Sequence, residues 1–352
     1  MKSIEIWRNA VLKYSPKAKD FGEAVRFNRG PLISIWETYT QNRRDLGRLP
    51  ATSPEFVAPY LLGFHLANVA RTEGILERAL RRGLKVPHPE NGLRVVDIGC
   101  GTGAMSQAVL NILGRDTGIS SLSFELFDRS RHLLACAKEM LTEADPRAQI
   151  RGAAIALEDS PLFNLSRKWT TENSQLTILC FGFVWNEIGG NRRAAEQVQR
   201  TLDFWLKAKE PAWIILCEPA TEEGARATMT IRGFFVEDGW HAYYPCPKSV
   251  TCPMTRDERD WCYSEFDFRK PNELVEVEKI LKLSRRTVGG SAYLFLNPAA
   301  LKANGAQPGK PVVVGHPQTP SGKSQLLLCK GEELDRAQPP NHRDLPLRGT
   351  EF

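Results

Sequence analysis

A glycine-rich turn between a short apolar run and a helical pattern is the feature that most constrains this chain. The run Val95-Val96-Asp97-Ile98 predicts a strand, glycines follow at positions 99, 101 and 103, and apolar residues recur at helical spacing from about Ala104. Such a turn lets the backbone approach a ligand closely, while N–H groups at the start of the helix face it. The spacing Gly99-x-Gly101-x-x-Ala104 also meets the minimal dinucleotide fingerprint. The sequence therefore predicts a nucleotide-cofactor site, with a ligand-free glycine turn as the alternative.

An acid two residues before the first glycine favours one class of cofactor. The pattern Asp97-x-Gly99-x-Gly101-x-Gly103 resembles motif I of S-adenosylmethionine-dependent methyltransferases. In that motif the acid holds the aminoacyl end of the ligand through a bridging group, and no pyrophosphate is bound. The resemblance therefore implies that Asp97 and the three glycines bind S-adenosylmethionine, and a dinucleotide remains the competing ligand.

Composition excludes several classes of protein. The 352 residues are 42% apolar and 25% charged, which is ordinary for a globular chain that buries a large core. There is no run of 18 uncharged apolar residues, so we expect no membrane span. The N-terminus lacks a secretory signal, and Glu5 with few serines argues against a mitochondrial transit peptide. Eight cysteines in an unsecreted chain then indicate reduced thiols or metal, and we expect a bacterial cytoplasmic protein.

The net charge of +6 lies entirely in the first quarter of the chain. Residues 1–90 hold 15 Lys and Arg against 9 Asp and Glu, whereas the remainder is neutral. This region shows helical periodicity, and His65 within it is flanked by apolar residues, which favours a packed histidine over a ligand. The excess of positive charge indicates a surface for a polyanion, with nucleic acid as the first candidate. A solvated helical face explains the charge equally well.

From residue 93 onward, strand and helix patterns alternate, which predicts a doubly wound parallel sheet with its ligand at the carboxyl ends of the strands. The predicted strands are Leu93–Ile98, Leu122–Asp128, Gln149–Leu157, Leu176–Val184 and Trp213–Cys217. Asp128 ends the second strand, where an acid can accept both ribose hydroxyls. Glu158 or Asp159, after the third, could accept from the adenine amino group. Helix N-capping is the alternative role for all three acids.

The segment after the fourth strand carries the weak catalytic candidates. Base-modifying methyltransferases often have a polar-Pro-Pro-aromatic motif at this place, and the segment Val184-Trp185-Asn186-Glu187 does not match it. Asn186 and Glu187 could orient the attacking nucleophile or stabilise the loop. The sequence shows no catalytic base.

Three cysteines close in sequence form a second candidate site. Cys246, Cys252 and Cys262 are separated by five and nine residues, unlike the Cys-x2-Cys knuckles of structural zinc. Cys329, at the end of a strand-like run, is the best candidate for a fourth thiolate. Four thiolates suit an iron–sulfur cluster or zinc, and unmetallated buried thiols are the alternative. The remaining cysteines lie where this residue usually serves as a small buried apolar group: Cys100, Cys136, Cys180 and Cys217.

The cysteine segment also carries a specific family resemblance. The stretch PCPKSVTCPM…DWC, preceded by CEPAT and IRGFF and followed by VVVGHPQTPSGKSQLLLC, resembles the methyltransferase-like small-ribosomal-subunit assembly factors of mitochondria and their bacterial relatives. The resemblance covers about residues 94–330. It implies that Cys246, Cys252, Cys262 and Cys329 hold a [4Fe–4S] cluster, and that the protein associates with the small subunit or its 16S-type rRNA. Lys248 and Tyr263 stand where relatives often have His.

These observations predict a class I methyltransferase core with additions at both ends. We expect a basic helical region over 1–90, a Rossmann-like S-adenosylmethionine-binding core over 91–240, a cysteine-rich metal-binding extension over 241–330 and an irregular tail over 331–352. The expected function is that of a monomeric, ribosome-associated methyltransferase-like protein. The alternatives are a non-catalytic assembly or checkpoint factor and a small-molecule methyltransferase with structural zinc.

Overall fold

The structure of the chain is a computed structural model that describes residues 2–40, 53–87, 89–114, 119–157, 176–185, 192–256, 260–305, 309–316, 324–339 and 345–352. The strands are β1 (Leu93–Ile98), β2 (Leu122–Asp128), β3 (Gln149–Ala154), β4 (Leu176–Gly182), β5 (Ala212–Glu218), β6 (His241–Tyr244), β7 (Ser264–Asp267), β8 (Thr287–Leu296), β9 (Val312–Gly315), β10 (Leu326–Cys329) and β11 (Leu334–Ala337). The helices are α1 (Lys2–Lys13), α2 (Phe21–Phe27), α3 (Arg29–Thr40), α4 (Val57–Tyr60), α5 (Leu66–Arg81), α6 (Ala104–Ile112), α7 (Arg131–Ala144), α8 (Arg192–Leu206), α9 (Glu222–Asp238), α10 (Asn272–Ile280) and α11 (Pro298–Asn304). None of the helices in these ranges is long and apolar enough to cross a membrane.

The main sheet confirms the predicted doubly wound architecture. Its order is β3-β2-β1-β4-β5-β8-β6, and β7 pairs with the first four residues of β8. The first five strands run parallel, whereas β8 is antiparallel to β5 and to β6. The strand order reverses between β1 and β4, and a crevice at the carboxyl ends of two such strands is where doubly wound sheets bind their ligands.

The central strands are apolar because helices cover both faces of the sheet. In β1, Val95 packs into a core with the N-terminal helices, α5, α6 and α7. Its neighbours Val96 and Ile98 face the opposite core with α8 and α9. Each large apolar side chain buried in this way stabilises the fold by about 1.5–3 kcal/mol. The C-terminal ends of β1 and β4 are thereby held at fixed positions for the site.

Two predicted strands end earlier than the sequence pattern indicated. The third ends at Ala154 and the fourth at Gly182, rather than at Leu157 and Val184. The fourth ends because Phe183 has a left-handed backbone, with φ of +60°. A run of apolar residues does not indicate where the backbone turns, so the strand predicted from periodicity was too long.

The N-terminal helices pack against the main core. Asp20 caps α2 by accepting a hydrogen bond from the Glu23 amide at 2.8 Å, and the Trp7 indole donates to the Leu61 carbonyl at 3.0 Å. A π-helical segment, Leu61–His65, joins α4 to α5 without a break in the helical backbone. α5 in turn lies along α6, and His65 at the end of the π-helical segment contacts Thr102, which follows β1.

The C-terminal part adds a small antiparallel sheet of order β11-β10-β9. β9 pairs with β10 in antiparallel fashion. The expectation of an irregular tail is wrong for Leu334–Ala337, which forms β11 against β10. Arg348 is also buried, and its guanidinium donates to Asp260 Oδ1 at 2.7 Å. The tail covers a strand edge that would otherwise leave backbone groups unpaired, a role that its alternating charges do not reveal.

Candidate functional site

The glycine loop lies at the switch point of the sheet and is closely packed. Gly99 and Gly101 have φ of +70° and +53°, a backbone that L side chains rarely adopt. A Cβ on Gly99 would lie 2.7 Å from Val184 Cγ2, and one on Gly101 would lie 3.2 Å from the Tyr60 hydroxyl. The amides of Gly99 and Cys100 both donate to the Phe127 carbonyl. The loop is therefore fixed between β2, the segment after β4 and the helices of the N-terminal region.

Asp97 is the second-last residue of β1 and is only 1% exposed. Its Oδ2 accepts hydrogen bonds from the Ser106 hydroxyl at 2.6 Å and the Ser106 amide at 3.2 Å. Burial raises the pKa of Asp97 to about 6, although the Ser106 hydrogen bonds act in the opposite direction. The carboxylate lines a small cavity beside the glycine loop and is mostly ionised at neutral pH. It can therefore accept hydrogen bonds from a cationic or N–H-bearing ligand.

Asp128 ends β2 and reaches the glycine loop. One carboxylate oxygen accepts from the Gly101 amide at 2.7 Å and the other from the Ser130 amide at 2.7 Å. Burial raises the pKa of Asp128, and these two amides act against that rise. Each carboxylate oxygen has further acceptor capacity, so this side chain can fix the loop and still accept from a ligand hydroxyl.

Side chains from the N-terminal helices complete the cavity, and sequence reasoning missed them. Tyr60, Asn68 and Thr72 lie opposite Asp97 and the glycine loop. His65 is buried, as a packed histidine should be, and its Nδ1 lies 2.9 Å from Thr102 Oγ1 in the loop. Burial lowers the pKa of His65 to about 4, so the imidazole is neutral at pH 7. The only sequence signal for these contacts was an amphipathic helix, which shows a packed face but does not identify the loop that it covers.

Four of the predicted site residues lie outside the described residues: Glu158, Asp159, Asn186 and Glu187. Next to the latter pair, the Trp185 amide donates at 2.9 Å to Glu218 Oε1, a buried carboxylate that ends β5. Sequence reasoning assigned no role to Glu218, although its position at a strand end was a usable signal. This hydrogen bond positions Trp185.

The structure brings the four predicted cysteines together. Cys252, Cys262 and Cys329 share one buried cluster, and all three interact electrostatically with Cys246. They come from four separate places: the loops after β6 and before β7, the start of a 3-10 helix (Pro253–Arg256) and the end of β10. Burial first, and then the neighbouring thiols, raise the pKa of Cys252, Cys262 and Cys329. The other four cysteines are buried, in keeping with a packing role.

The surroundings of the four thiols suit an anionic sulfur cluster. The buried Arg232 guanidinium interacts with Cys246 and Cys252, which raise its pKa against the opposing effect of burial. The backbone amides of Met254 and Thr255 donate hydrogen bonds to the Cys252 sulfur, and the Gly331 amide donates to the Cys329 sulfur. The buried Tyr293 hydroxyl lies beside them and donates a hydrogen bond toward the Cys262 sulfur. Among the described residues, however, no group of three or more His, Cys, Asp or Glu is placed so that it could hold a metal ion.

Comparison with solved structures identifies methyltransferases of low identity. A protein of Listeria monocytogenes described as a class I S-adenosylmethionine-dependent methyltransferase is 10% identical, covers 84% of this chain and 87% of its own, and has a TM-score of 0.40. A Leishmania major S-adenosylmethionine-dependent methyltransferase is 15% identical over 83% and 90%, with a TM-score of 0.36. A Streptococcus thermophilus rRNA methylase is 12% identical over 63% and 96%, with a TM-score of 0.32. Because these identities and TM-scores are low, the assignment of the fold rests on the strand order of the main sheet.

Sequence comparison gives the family. No curated protein matches the chain. The family model described as mitochondrial small ribosomal subunit Rsm22, however, matches residues 63–338. This match includes α5, the glycine loop, the main sheet and all four clustered cysteines, and it spans well over half of the 352 residues. The chain belongs to the family of the mitochondrial small ribosomal subunit protein Rsm22.

Proposed function

We propose that this protein binds S-adenosylmethionine at the glycine loop and acts as a methyltransferase on the small ribosomal subunit or during its assembly. The observation that carries the proposal is the meeting of Asp97, the glycine loop and Asp128 at the switch point of the sheet. Asp97 would hold the aminoacyl end of the ligand. Asp128 would accept the ribose hydroxyls while it keeps the loop in place. Glu158 or Asp159 would accept from the adenine amino group.

The chemistry needs orientation more than acid–base groups. The lone pair of the acceptor attacks the methyl carbon as the carbon–sulfur bond breaks, and the electron pair of that bond goes to sulfur. An acceptor N–H or O–H passes its proton to water. Holding two reactants in line can contribute up to about 7–11 kcal/mol. Asn186 or Glu187 would align the acceptor; they follow Trp185, whose amide donates to Glu218.

The proposed partner is the small ribosomal subunit, with rRNA as the contacted component. The family description names that subunit of mitochondria, and the positive charge within residues 1–90 suits a polyanion. The same description favours a mitochondrial compartment over the bacterial cytoplasm that the sequence indicated. We propose a monomer, because a single chain supplies both candidate sites.

For the cysteines we propose a [4Fe–4S] cluster held by Cys246, Cys252, Cys262 and Cys329. The convergence of four thiols with Arg232 and backbone amides supports a cluster, and zinc on the same thiolates is the alternative. When bound, the cluster would supply a covalent clamp between the main and small sheets and a redox-sensitive centre. Iron, acid-labile sulfide and zinc measured on anaerobically purified protein separate the two: about four iron and four sulfide per chain support the cluster, and one zinc refutes it.

A second candidate function is that of a non-catalytic assembly factor whose donor site is structural. The missing polar-Pro-Pro-aromatic motif after β4 favours it. Radiolabelled S-adenosylmethionine with purified small subunits distinguishes the two functions. Label on immature or mature particles is expected from an enzyme, and no label above background would refute catalysis while leaving the assembly role.

Binding itself is tested by titration calorimetry. Asp97→Asn should weaken S-adenosylmethionine binding by about 10- to 100-fold, because hydrogen bonds to charged groups contribute about 1.5–3 kcal/mol. Glu143→Gln, an exposed carboxylate on α7, is the matched control and should leave affinity unchanged. Equal affinities for the wild type and Asp97→Asn would remove Asp97 from the site.

A further inference from the structure

A second cleft opens beside the candidate donor cavity, between the N-terminal helices and the carboxyl ends of β4 and β5. Its volume is about 360 Å³, within the range of about 300–1,000 Å³ that is usual for small-ligand pockets. Tyr60, Asn68 and Phe183 line both the cleft and the donor cavity. A molecule in the cleft would therefore adjoin a ligand at the glycine loop.

One wall of the cleft is made of half-buried aromatic rings. Trp36 and Phe64 stack with centroids 5.4 Å apart at an interplanar angle of 18°. Tyr39 contacts Phe64 at 5.1 Å and Tyr60 at 6.2 Å. Unlike the fully buried tryptophans of the main core, these side chains keep part of their surface exposed toward the cleft. The Arg285 guanidinium also lies over the Trp36 ring, 5.3 Å from its centroid, so a planar ring can stack where Trp36 and Tyr39 remain exposed to the cleft.

A positive charge that forms no ion pair with a described carboxylate lies in the same cleft. Arg71 donates to Asn68 Oδ1 and to the Gly289 carbonyl, both at 2.7 Å, and no carboxylate of the described residues forms an ion pair with it. Arg285, in contrast, pairs with Glu278 at 2.9 Å. Burial, with a contribution from Arg285, lowers the pKa of Arg71 to about 10, so it remains charged at neutral pH. Because charges shielded from water need a partner, Arg71 suits a bound anion.

The residue between the two cavities has an unusual backbone. Phe183 has φ of +60°, which is rare for a bulky side chain, and its amide donates to the Cys217 carbonyl at 2.8 Å. Its ring lies 5.3 Å from the Arg71 guanidinium carbon. Backbone strain of this kind persists where the surrounding structure holds it, and it concentrates at ligand sites. The strain places an aromatic face at the junction of the cleft and the donor cavity.

We propose that the cleft binds one unpaired nucleobase of an RNA strand, stacked on the Trp36 and Tyr39 wall with a backbone phosphate at Arg71. The proposal rests on the function proposed above, since it supplies the methyl acceptor for the same site. Stacking on aromatic side chains combined with a cation on the backbone is how proteins hold single-stranded RNA. Enzymes that act on a base take it out of the helix into such a pocket. No carboxylate lines the cleft among the described residues, so a cationic acceptor would lack a counter-charge.

Fluorescence anisotropy with two labelled oligoribonucleotides tests the proposal. One is single-stranded with mixed bases, and the other has the same length and phosphates but abasic sites in place of the bases. The full chain should bind the strand with bases at least about tenfold more tightly. Trp36→Ala or Tyr39→Ala should bring that ratio close to one, whereas Arg71→Gln should weaken both strands. Phe27→Ala, an aromatic residue of α2 that is 59% exposed outside the cleft, is the control and should keep the ratio.

Equal wild-type affinities for the two strands, or a ratio unchanged in Trp36→Ala and Tyr39→Ala, would overturn the proposal. Photo-crosslinking of the wild type with a 4-thiouridine strand gives a result that does not depend on a variant's folding. Crosslinks in α3, around Tyr60 or at Phe183 support the cleft, and crosslinks confined to other segments refute it. A nucleoside monophosphate that competes as strongly as the strand would show a free nucleotide, not RNA, as the ligand, and would refute it too.

S-adenosylmethionine binding, measured on the same proteins, separates this proposal from the proposed function. If the cofactor binds normally but the base preference is absent, the cleft assignment fails and the donor site stands. If the base preference is present but the cofactor does not bind, the donor site fails and the cleft assignment stands.

Discussion

Gly99→Ala is the perturbation whose effect the structure defines most closely. Alanine at φ of +70° costs about 1–2 kcal/mol, because L residues disfavour the left-handed region. The new Cβ would also lie 2.7 Å from Val184 Cγ2, and overpacking of this kind costs about 1–3 kcal/mol. We therefore expect the free energy of unfolding to fall by about 2–5 kcal/mol. Urea denaturation followed by circular dichroism measures this change, and calorimetry should show a parallel loss of S-adenosylmethionine binding.

Two further variants separate the backbone cost from the overpacking cost. Gly83→Ala has a similar backbone, with φ of +98°, but no atom lies within 4 Å of its new Cβ, so it should show the backbone cost alone. Val184→Ala removes the clashing methyl groups, so in the double variant with Gly99→Ala the effects should be non-additive by about 1–3 kcal/mol. If Gly99→Ala destabilised no more than Gly83→Ala, or if the double variant were strictly additive, the packing of the loop against the segment after β4 would be refuted.

Three other outcomes follow from buried groups. Burial lowers the pKa of His65 to about 4, below its unfolded value of about 6.5, so the free energy of unfolding falls as pH drops from about 6.5 to about 4. In His65→Gln, the decrease in the free energy of unfolding between pH 7 and pH 4, measured by urea denaturation, should be smaller by about 3 kcal/mol. An unchanged decrease would contradict this. Burial raises the pKa of Asp97 to about 6, above its unfolded value of about 3.9, so its ionisation lowers stability as pH rises from about 4 to about 6. Asp97→Asn should therefore gain up to about 3 kcal/mol at pH 7 but little at pH 4, and Glu143→Gln should gain nothing. Cys252→Ser should lose iron and lower the unfolding temperature, whereas Cys136→Ser should keep its iron; unchanged iron in Cys252→Ser would exclude it as a ligand.

Local patterns were sufficient for the elements that carry the donor site. The strand that carries Asp97, the glycine turn and helix α6 are adjacent in sequence, so their geometry follows from backbone preferences and apolar periodicity over about twenty residues. Asp128 was identified because parallel strands end at one edge of a sheet. Its hydrogen bond to the Gly101 amide, which ties the loop to β2, was not predictable, because it depends on the register between two strands.

The cysteines show the same division. Their residue type and clustering in sequence indicated a metal site, and the family resemblance implied the set of four. Only the tertiary structure brings Cys329 from the small sheet to the other three, and only it places Arg232 of α9 beside them. Neither contact can be predicted from residue spacing in the sequence.

By itself, the sequence determined the doubly wound class, the glycine loop with its acid and the candidate thiolates, because each depends on residue type and short-range spacing. Tertiary structure alone decided what covers the loop, how Phe183 turns between two cavities, which aromatic rings face the cleft and that the tail adds strand β11. These features arise from packing between segments far apart in the chain. Such packing is set by shape and by the need to pair buried polar groups, which no local pattern encodes.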